Sequence, residues 1–333
     1  MNVCTDSIRF AEQWFSSPPH WKSGLPERMS AEYGHIINHL LLQAPAATGS
    51  IDLPEPWQHV VLVEHAVRSQ FDILVNAMRA GLAPPHGLIC LAGSGEGFHG
   101  QRERVWAAPP GNIHLSVFLS PDLHLNDIGA GLTVLPAVSL VQTLDSIPGL
   151  EKRSGIRWVN DILIDDSKTA GFLVHTQSSS GRVTGAVIGI GLNVGIVPHV
   201  APTMFVPSVT ALCHHVSDPG VCSLSVVFHR LLHFLAQNYG KVVTGRAGEL
   251  LEFYRERSLV MGRRVSVYQD LQDSQDDDRK RVAGGTVLSI GDRLELILAG
   301  ELHPVFQGRL VVEPEAAKKR AAWAPVLTKP TPV

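Results

Sequence analysis

The chain has 333 residues, 44% of them hydrophobic and 18% charged, with a formal net charge of −3. That length allows a sizeable core and predicts two domains. No basic excess points to a nucleic-acid partner, and no run of about 18 uninterrupted apolar residues marks a membrane span. The first residues, "MNVCTDSIRFAEQW", lack a basic start followed by an apolar stretch, so no signal peptide is expected and a cytoplasmic location is the default. Cys4, Cys90, Cys213 and Cys222 fall in no CxxC spacing. His214 and His215 beside Cys213 read as a polar helix end or loop rather than a metal site.

Residues 1–56 read as an appended N-terminal segment of uncertain order, with one weak helical pattern at 31–44. Residues 57–67, "WQHVVLVEHAV", are β-branched and apolar and predict a buried strand. Phe71, Leu74, Val75 and Met78 then take helical spacing, with Gly81 as a stop. A strand at 87–93 runs into a glycine-rich loop, "GSGEGFHGQRERVWAAPPG", and an alternating strand follows at 112–120. Residues 129–147 have helix spacing, although Pro136 predicts a kink or a late start.

Residues 157–174, "RWVNDILIDDSKTAGFLV", predict a hairpin turning at "DDS", with Trp158, Ile162, Ile164, Ala170, Phe172 and Val174 facing the core. A further strand is expected at 181–195, and two helices lie between 222 and 258. From 262 onward the short strands read as a small β-barrel. The mixed-sign run at 273–281 reads as a solvated loop, and the C-terminal end as frayed. Strands and helices do not alternate regularly, so the expected class is α+β with a mixed or antiparallel sheet. The expected divisions are 1–56, a catalytic domain over 57–258, a small β domain over 259–315 and a tail over 316–333.

Two stretches carry chemistry. Gly93, Gly95, Gly97 and Gly100 would let backbone amides approach an anion, while Arg102 and Arg104 supply charge and Trp106 a flat face. The loop fits neither GxxxxGK[ST] nor GxGxxG, since Phe98 stands where the third glycine belongs. On composition alone a flexible surface loop is the favoured reading. In the hairpin, Asn160 and Asp161 interrupt an apolar run and Lys168 leads into the second strand. A lysine there can meet a carboxylate and a phosphate together and reduce their repulsion. Its bland alternative is a solvated side chain on a polar hairpin.

The order and gaps of "GQRERVWAAPPGNIHLSVFL", "IRWVNDILIDDSKTAGFLVH" and "GAVIGIGLNVG" resemble the biotin protein ligases, within the biotin/lipoate ligase superfamily. That family shows a glycine-arginine loop ending in Arg-x-Trp, a Lys-Trp-Pro-Asn-Asp segment, a Lys-x-Ala-Gly segment seven residues after the Asp, and a Gly-x-Gly-x-Asn strand. Here the interval from Asp161 to Lys168 is also seven. The resemblance covers about 57–313 and implies a class II synthetase-like catalytic domain with an SH3-like C-terminal barrel. It implies ATP with Mg²⁺, biotin as substrate, and transfer through biotinyl-AMP to a lysine of a carrier domain in a biotin-dependent carboxylase. Many members of the family dimerise, so a homodimer is among the states it admits.

By resemblance, Lys168 touches the biotin carboxylate and the adenylate phosphate, Arg104 and Arg157 supply charge to the phosphates, and Asn160 meets phosphate or its Mg²⁺. Asp161 shapes the nucleotide site, Trp106 covers the adenylate, Gly171 and Gly191 leave room, and Asn193 holds the nucleotide end. Ser69 and Gln70 fall at the biotin corner, and His99, Gly100, Gln101 and Arg102 in the loop over the ligand.

The departures are specific. Where the family has Gly-Arg-Gly-Arg-x-Gly-Arg, residues 98–104 read "FHGQRER". His99 and Gln101 replace arginines, Glu103 replaces a glycine, Arg157 replaces a lysine, and Val159 a proline. Gln70 and Phe71 disturb the biotin corner. Three readings stay open: a divergent biotin ligase, an enzyme of the same superfamily acting on lipoate or octanoate, and a ligand-binding relative without turnover. Residues 1–56 hold no helix-turn-helix with a basic recognition helix, so no sequence-specific DNA binding is expected.

Overall fold

The computed structural model describes residues 2–15, 17–26, 29–41, 46–270 and 280–313. The expected tail, and all of the 273–281 charge run except Lys280 and Arg281, lie outside the described residues.

The N-terminal third contains β1 (Asn2–Thr5), α1 (Ile8–Glu12), β2 (Lys22–Ser23), α2 (Ala31–Leu40), β3 (Ala47–Ser50), β4 (His59–Ala66), α3 (Gln70–Arg79), β5 (Leu88–Gly95) and β6 (Ile113–Leu119). The middle contains β7 (Leu123–His124), α4 (Leu125–Ile128), α5 (Gly131–Asp145), β8 (Ser154–Arg157), β9 (Asp161–Ile164), β10 (Ser167–Ser179) and β11 (Arg182–Leu192). The remainder contains α6 (Leu224–Val243), α7 (Ala247–Glu256), β12 (Arg264–Tyr268), β13 (Arg281–Ile290), β14 (Leu296–Leu298) and β15 (Arg309–Val312).

The main sheet runs β2-β3-β1-β4-β5-β6-β11-β10-β9-β8, with β7 pairing beside β11. β1, β4 and β5 are mutually parallel and the other pairings antiparallel, so the sheet is mixed, as expected. Helices cover both faces, which explains why β4 and β5 read as unbroken apolar runs rather than alternating ones. α5, α6 and α7 pack on one face, with Leu135, Val138, Phe228, Leu231 and Tyr254 in the core. α2 and α3 pack on the other, with Ile37, Leu74 and Met78 beneath them. α5 is apolar all round because it is buried all round. It begins at Gly131 and continues through Pro136 as one helix, so Pro136 does not mark a late start.

Within residues 1–56, expected as an appended segment of uncertain order, the described strands join the main sheet. β1 pairs parallel with β4, β3 pairs antiparallel with β1, and β2 closes that edge. Trp14 and Phe10 bury against Phe228 and the sheet. The described residues of this segment are held by these long-range contacts, not by local periodicity.

The C-terminal strands form a four-stranded sheet, β14-β13-β12-β15, where the small β domain was expected. It is bonded to the main body: Trp158 Nε1 donates to the Leu294 carbonyl at 2.6 Å, and Arg255 Nε donates to the Ile290 carbonyl at 2.8 Å.

Candidate functional site

One transverse row of strand partners crosses the main sheet: Arg157, Asp161, Gly171, Gly191, His114 and Ala92. Residues opposite one another across strands share a face. The row therefore places charge at one end, two bare glycines in the middle and an imidazole beyond them. Between β9 and β10 the register shifts at Lys168 to Ala170. Such a bulge changes side-chain parity and brings Lys168 onto the face of Gly171, where its Nζ would lie 3.4 Å from a Cβ at that position. The Lys168 amide donates instead to the Ser208 carbonyl at 3.0 Å, and the Thr210 amide donates to the Lys168 carbonyl at 2.9 Å.

The expected hairpin turn is present, with Asp165 and Asp166 at φ 47 and 66. Strand β8 was not foreseen; it makes a second hairpin with β9, whose connection is Trp158–Asn160. Together the two hairpins bring both cations to one carboxylate. Lys168 Nζ lies 2.6 Å from Asp161 Oδ1, and Arg157 Nη2 lies 2.7 Å from Oδ2. Burial pushes the Asp161 carboxyl up, but the charges of Lys168 and Arg157 outweigh it and hold the group down at about 2. Asp161 is thus ionised at neutral pH and holds the two cations; it is not poised to accept a proton.

The expected room above the glycines is taken up by a side chain. A Cβ at Gly191 would fall 2.2 Å from Trp106 Cε2, and one at Gly171 would fall 3.4 Å from Trp106 Cζ3. The indole lies on this floor, with Lys168 Nζ 5.5 Å from its ring centroid. Trp106 Nε1 is buried without a partner, as is Asn193 Oδ1, while Asn193 Nδ2 donates to the Thr210 carbonyl at 3.1 Å. Asn160 Nδ2 donates to the Phe172 carbonyl at 2.8 Å, which leaves Oδ1 as its acceptor. Among the described residues no group of three or more His, Cys, Asp or Glu side chains could hold a metal ion.

The loop at 98–104 is folded over this floor. Arg102 and Glu103 both take left-handed backbone, φ 55 and 56. Glu103 therefore occupies a conformation that favours glycine. Neither of the loop's arginines projects free. Arg104 Nη1 lies 2.7 Å from Asp270 Oδ1, while Arg102 Nε lies 3.9 Å from Asp270 Oδ2 and its Nη2 3.5 Å from Gln307 Oε1. His99 is tied the other way, with Nε2 2.9 Å from Asp72 Oδ1. Asp72 stands in the first turn of α3, whose N-cap Ser69 accepts from the Asp72 amide. Phe71 extends over Gly189.

These elements surround a cavity of about 550 Å³. Ser69, His99, Gly100, Gln101, Arg102 and Arg104 line it, and so do Trp106, Arg157, Asn160, Asp161, Lys168, Gly171, Gly191 and Asn193. Gln70 is the exception among the expected site residues. Its side chain is buried away from the cavity, with both amide atoms unpartnered. The capped start of α3 turns its neighbours Ser69 and Phe71 to the cavity and leaves Gln70 inside.

Asp270, Gln307 and His114 were missed. Asp270 lies 166 residues from Arg104, and nothing local marks it. His114 could have been found from its place in the alternating strand "NIHLSVF". Burial pulls its imidazole below the ordinary value, against a Pro109 carbonyl 3.1 Å from Nε2, so the ring is neutral with Nδ1 unpartnered.

Residues 72–193 match the biotin/lipoate A/B protein ligase family. The chain is 34% identical over 174 residues to the bifunctional ligase/repressor BirA of Bacillus subtilis, covering 52% of each. It thus spans about half the length of that relative. It is 28% identical over 268 residues to the biotin–[acetyl-CoA-carboxylase] ligase of Mycobacterium tuberculosis, covering 74% of this chain and 89% of that one. The fold is similar to that of biotin protein ligase from Aquifex aeolicus in complex with biotin and ATP: TM-score 0.57, 16% identity, covering 77% of this chain and 99% of the other.

Proposed function

We propose that this chain, which carries a biotin/lipoate A/B protein ligase domain over residues 72–193, is an ATP-dependent biotin–protein ligase. The observation that carries the proposal is the Lys168–Asp161–Arg157 cluster, set in the cavity beside Trp106. The relative named as a biotin–[acetyl-CoA-carboxylase] ligase supports the choice of acid.

In the first step an oxygen of the biotin carboxylate attacks the α-phosphorus of ATP. An O–P bond forms, the α–β bridging bond breaks, and pyrophosphate leaves. Both reactants are anions, so bringing them together costs Coulomb energy that a fixed ammonium offsets. Lys168 is the side chain placed to do so, and Asp161 fixes its direction without competing for a proton. Arg157 and Arg104 would face the phosphates. In the second step the amine of an acceptor lysine attacks the acyl carbon. A C–N bond forms, the acyl–phosphate bond breaks, AMP leaves, and the amine gives up a proton.

The donor set fits a Mg²⁺ ion that arrives with ATP rather than one held in a protein cage, since Asn160 Oδ1 is a single neutral oxygen. When bound, the ion would screen phosphate charge, and Asn160 would hold its position. The acceptor is proposed to be the biotin carrier domain of a carboxylase. The described C-terminal sheet is proposed as a separate SH3-like unit, beginning near 259.

The test is pyrophosphate release from ATP and Mg²⁺, with biotin, lipoate and octanoate supplied separately. Turnover with biotin alone supports the ligase. Turnover with lipoate or octanoate alone moves the chain to another branch. Ligand binding without turnover would make the altered residues of the 98–104 loop the deciding feature.

A further inference from the structure

His99 has an acceptor at each ring nitrogen. Nδ1 lies 3.0 Å from the Gly100 carbonyl, and Nε2 lies 2.9 Å from both Asp72 oxygens. A neutral imidazole carries one N–H and can satisfy only one of these. Both contacts are hydrogen bonds only if both nitrogens are protonated. Glu103 Oε2 adds a second carboxylate, 3.7 Å from Nε2. The charged groups facing the ring are thus Asp72 from α3 and Glu103 from the loop itself. Phe71 meets the ring edge-on, with centroids 6.4 Å apart. The side chain is 14% exposed, so water screens these contacts only in part.

We propose that His99 is a positioning residue that works as an imidazolium cation, docking the 98–104 loop on α3 through Asp72 so that the loop's arginines are held over the nucleotide cavity. Docking itself rests on geometry alone, while its consequence for ATP rests on the function proposed above. The loop lies between two carboxylates from distant elements, Asp72 on one side and Asp270 on the other, and His99 is its only bond to the first of them among the contacts described. Burial opposes the charge on His99, but the Gly100 carbonyl and the two carboxylates outweigh it and raise the group above its ordinary value. A raised folded value means that the His99 contribution to docking is fully present just below the ordinary imidazole value and is lost as pH rises through the folded value.

Two measurements on the full-length chain test this. The first is NMR titration of the His99 ring, assigned by its loss in His99→Gln. The expected midpoint lies above about 6.5 and falls in Asp72→Asn. A midpoint at or below that value, or one unmoved by Asp72→Asn, overturns the docking. The second is the affinity for an ATP analogue with a non-cleavable α–β bridge, measured by calorimetry across the same pH range. Wild-type affinity is expected to fall above the midpoint, approaching roughly tenfold per pH unit. His99→Arg stays charged and is expected to remove that limb, whereas His99→Gln binds weakly throughout.

Identical profiles for wild type and His99→Arg overturn the link to the nucleotide. If no acid is turned over but the midpoint is raised and moves in Asp72→Asn, docking stands and the ligase reading falls. If biotin is turned over with a flat profile, the ligase stands and the inference falls.

Discussion

Two regions face each other across the cavity, and each neutralises its charges differently. In the β8–β10 hairpins, Arg157, Asp161 and Lys168 lie within twelve residues and meet through strand register. In the loop, His99 is matched by Asp72 from α3, and Arg104 by Asp270, two residues beyond β12. The hairpin cluster is preorganised by its own backbone. The loop is placed only when three separate elements are together. A charge that must be fixed is better supplied by the first than by the second.

The sharpest way to break that contrast is Lys168→Ala. If the hairpin holds the reacting charge, adenylate formation should fall by about 10³-fold or more while thermal unfolding hardly shifts. A large drop in Tm with activity retained in the folded fraction would make Lys168 structural.

Asp161→Asn comes next. It leaves Lys168 and Arg157 half-matched in a site where Asp161 is only 17% exposed. Loss of one partner from a buried ionic cluster costs about 3 kcal/mol, read by denaturant unfolding. The wild-type carboxyl is held at about 2 in the folded chain, against roughly 3.9 when unfolded. Its contribution to stability is therefore present above about pH 4 and disappears as pH falls through the folded value. Asp161→Asn should flatten the stability profile in that acid window. An unchanged profile would place the ion pairs among those that contribute nothing.

Gly191→Ala probes the floor between the two regions. The added Cβ would meet Trp106 Cε2 at 2.2 Å, so the indole must shift. Overpacking of this kind costs about 1–3 kcal/mol, and nucleotide affinity should fall with it. If affinity is kept, Trp106 does not cover the nucleotide.

Much of this was legible in the sequence, and the reason differs by region. Alternation in 157–174 gave the hairpin and its core residues, because strand parity is a local property. Ile162, Ile164, Ala170 and Phe172 are all buried, and only Val174 is half-buried. The ordered motifs placed all but one of the expected site residues around one cavity, Gln70 being the exception. What was not legible depends on partners far along the chain. β1 and β3 are four residues each, and "ATGS" shows no pattern until β1 lies beside it. The carboxylate that holds Arg104 is equally silent, since Asp270 lies 166 residues away, just past β12.

Asp270→Asn therefore tests the part of the loop that sequence could not show, and its effect should be the smallest. Asp270 is 10% exposed and Arg104 35%, so the pair is only partly desolvated. A phosphate at Arg104 must compete with this carboxylate for the same guanidinium. Removing the charge while keeping the shape should lower the KM for ATP by about two- to fivefold, the scale of a partly exposed ion pair. Stability should fall by less than about 1 kcal/mol, and kcat should hardly change. A higher KM would reverse the assignment: Asp270 would then be aiming Arg104 at the phosphate rather than competing with it. An unchanged KM would leave the hairpin as the sole seat of phosphate recognition and remove the loop from the comparison.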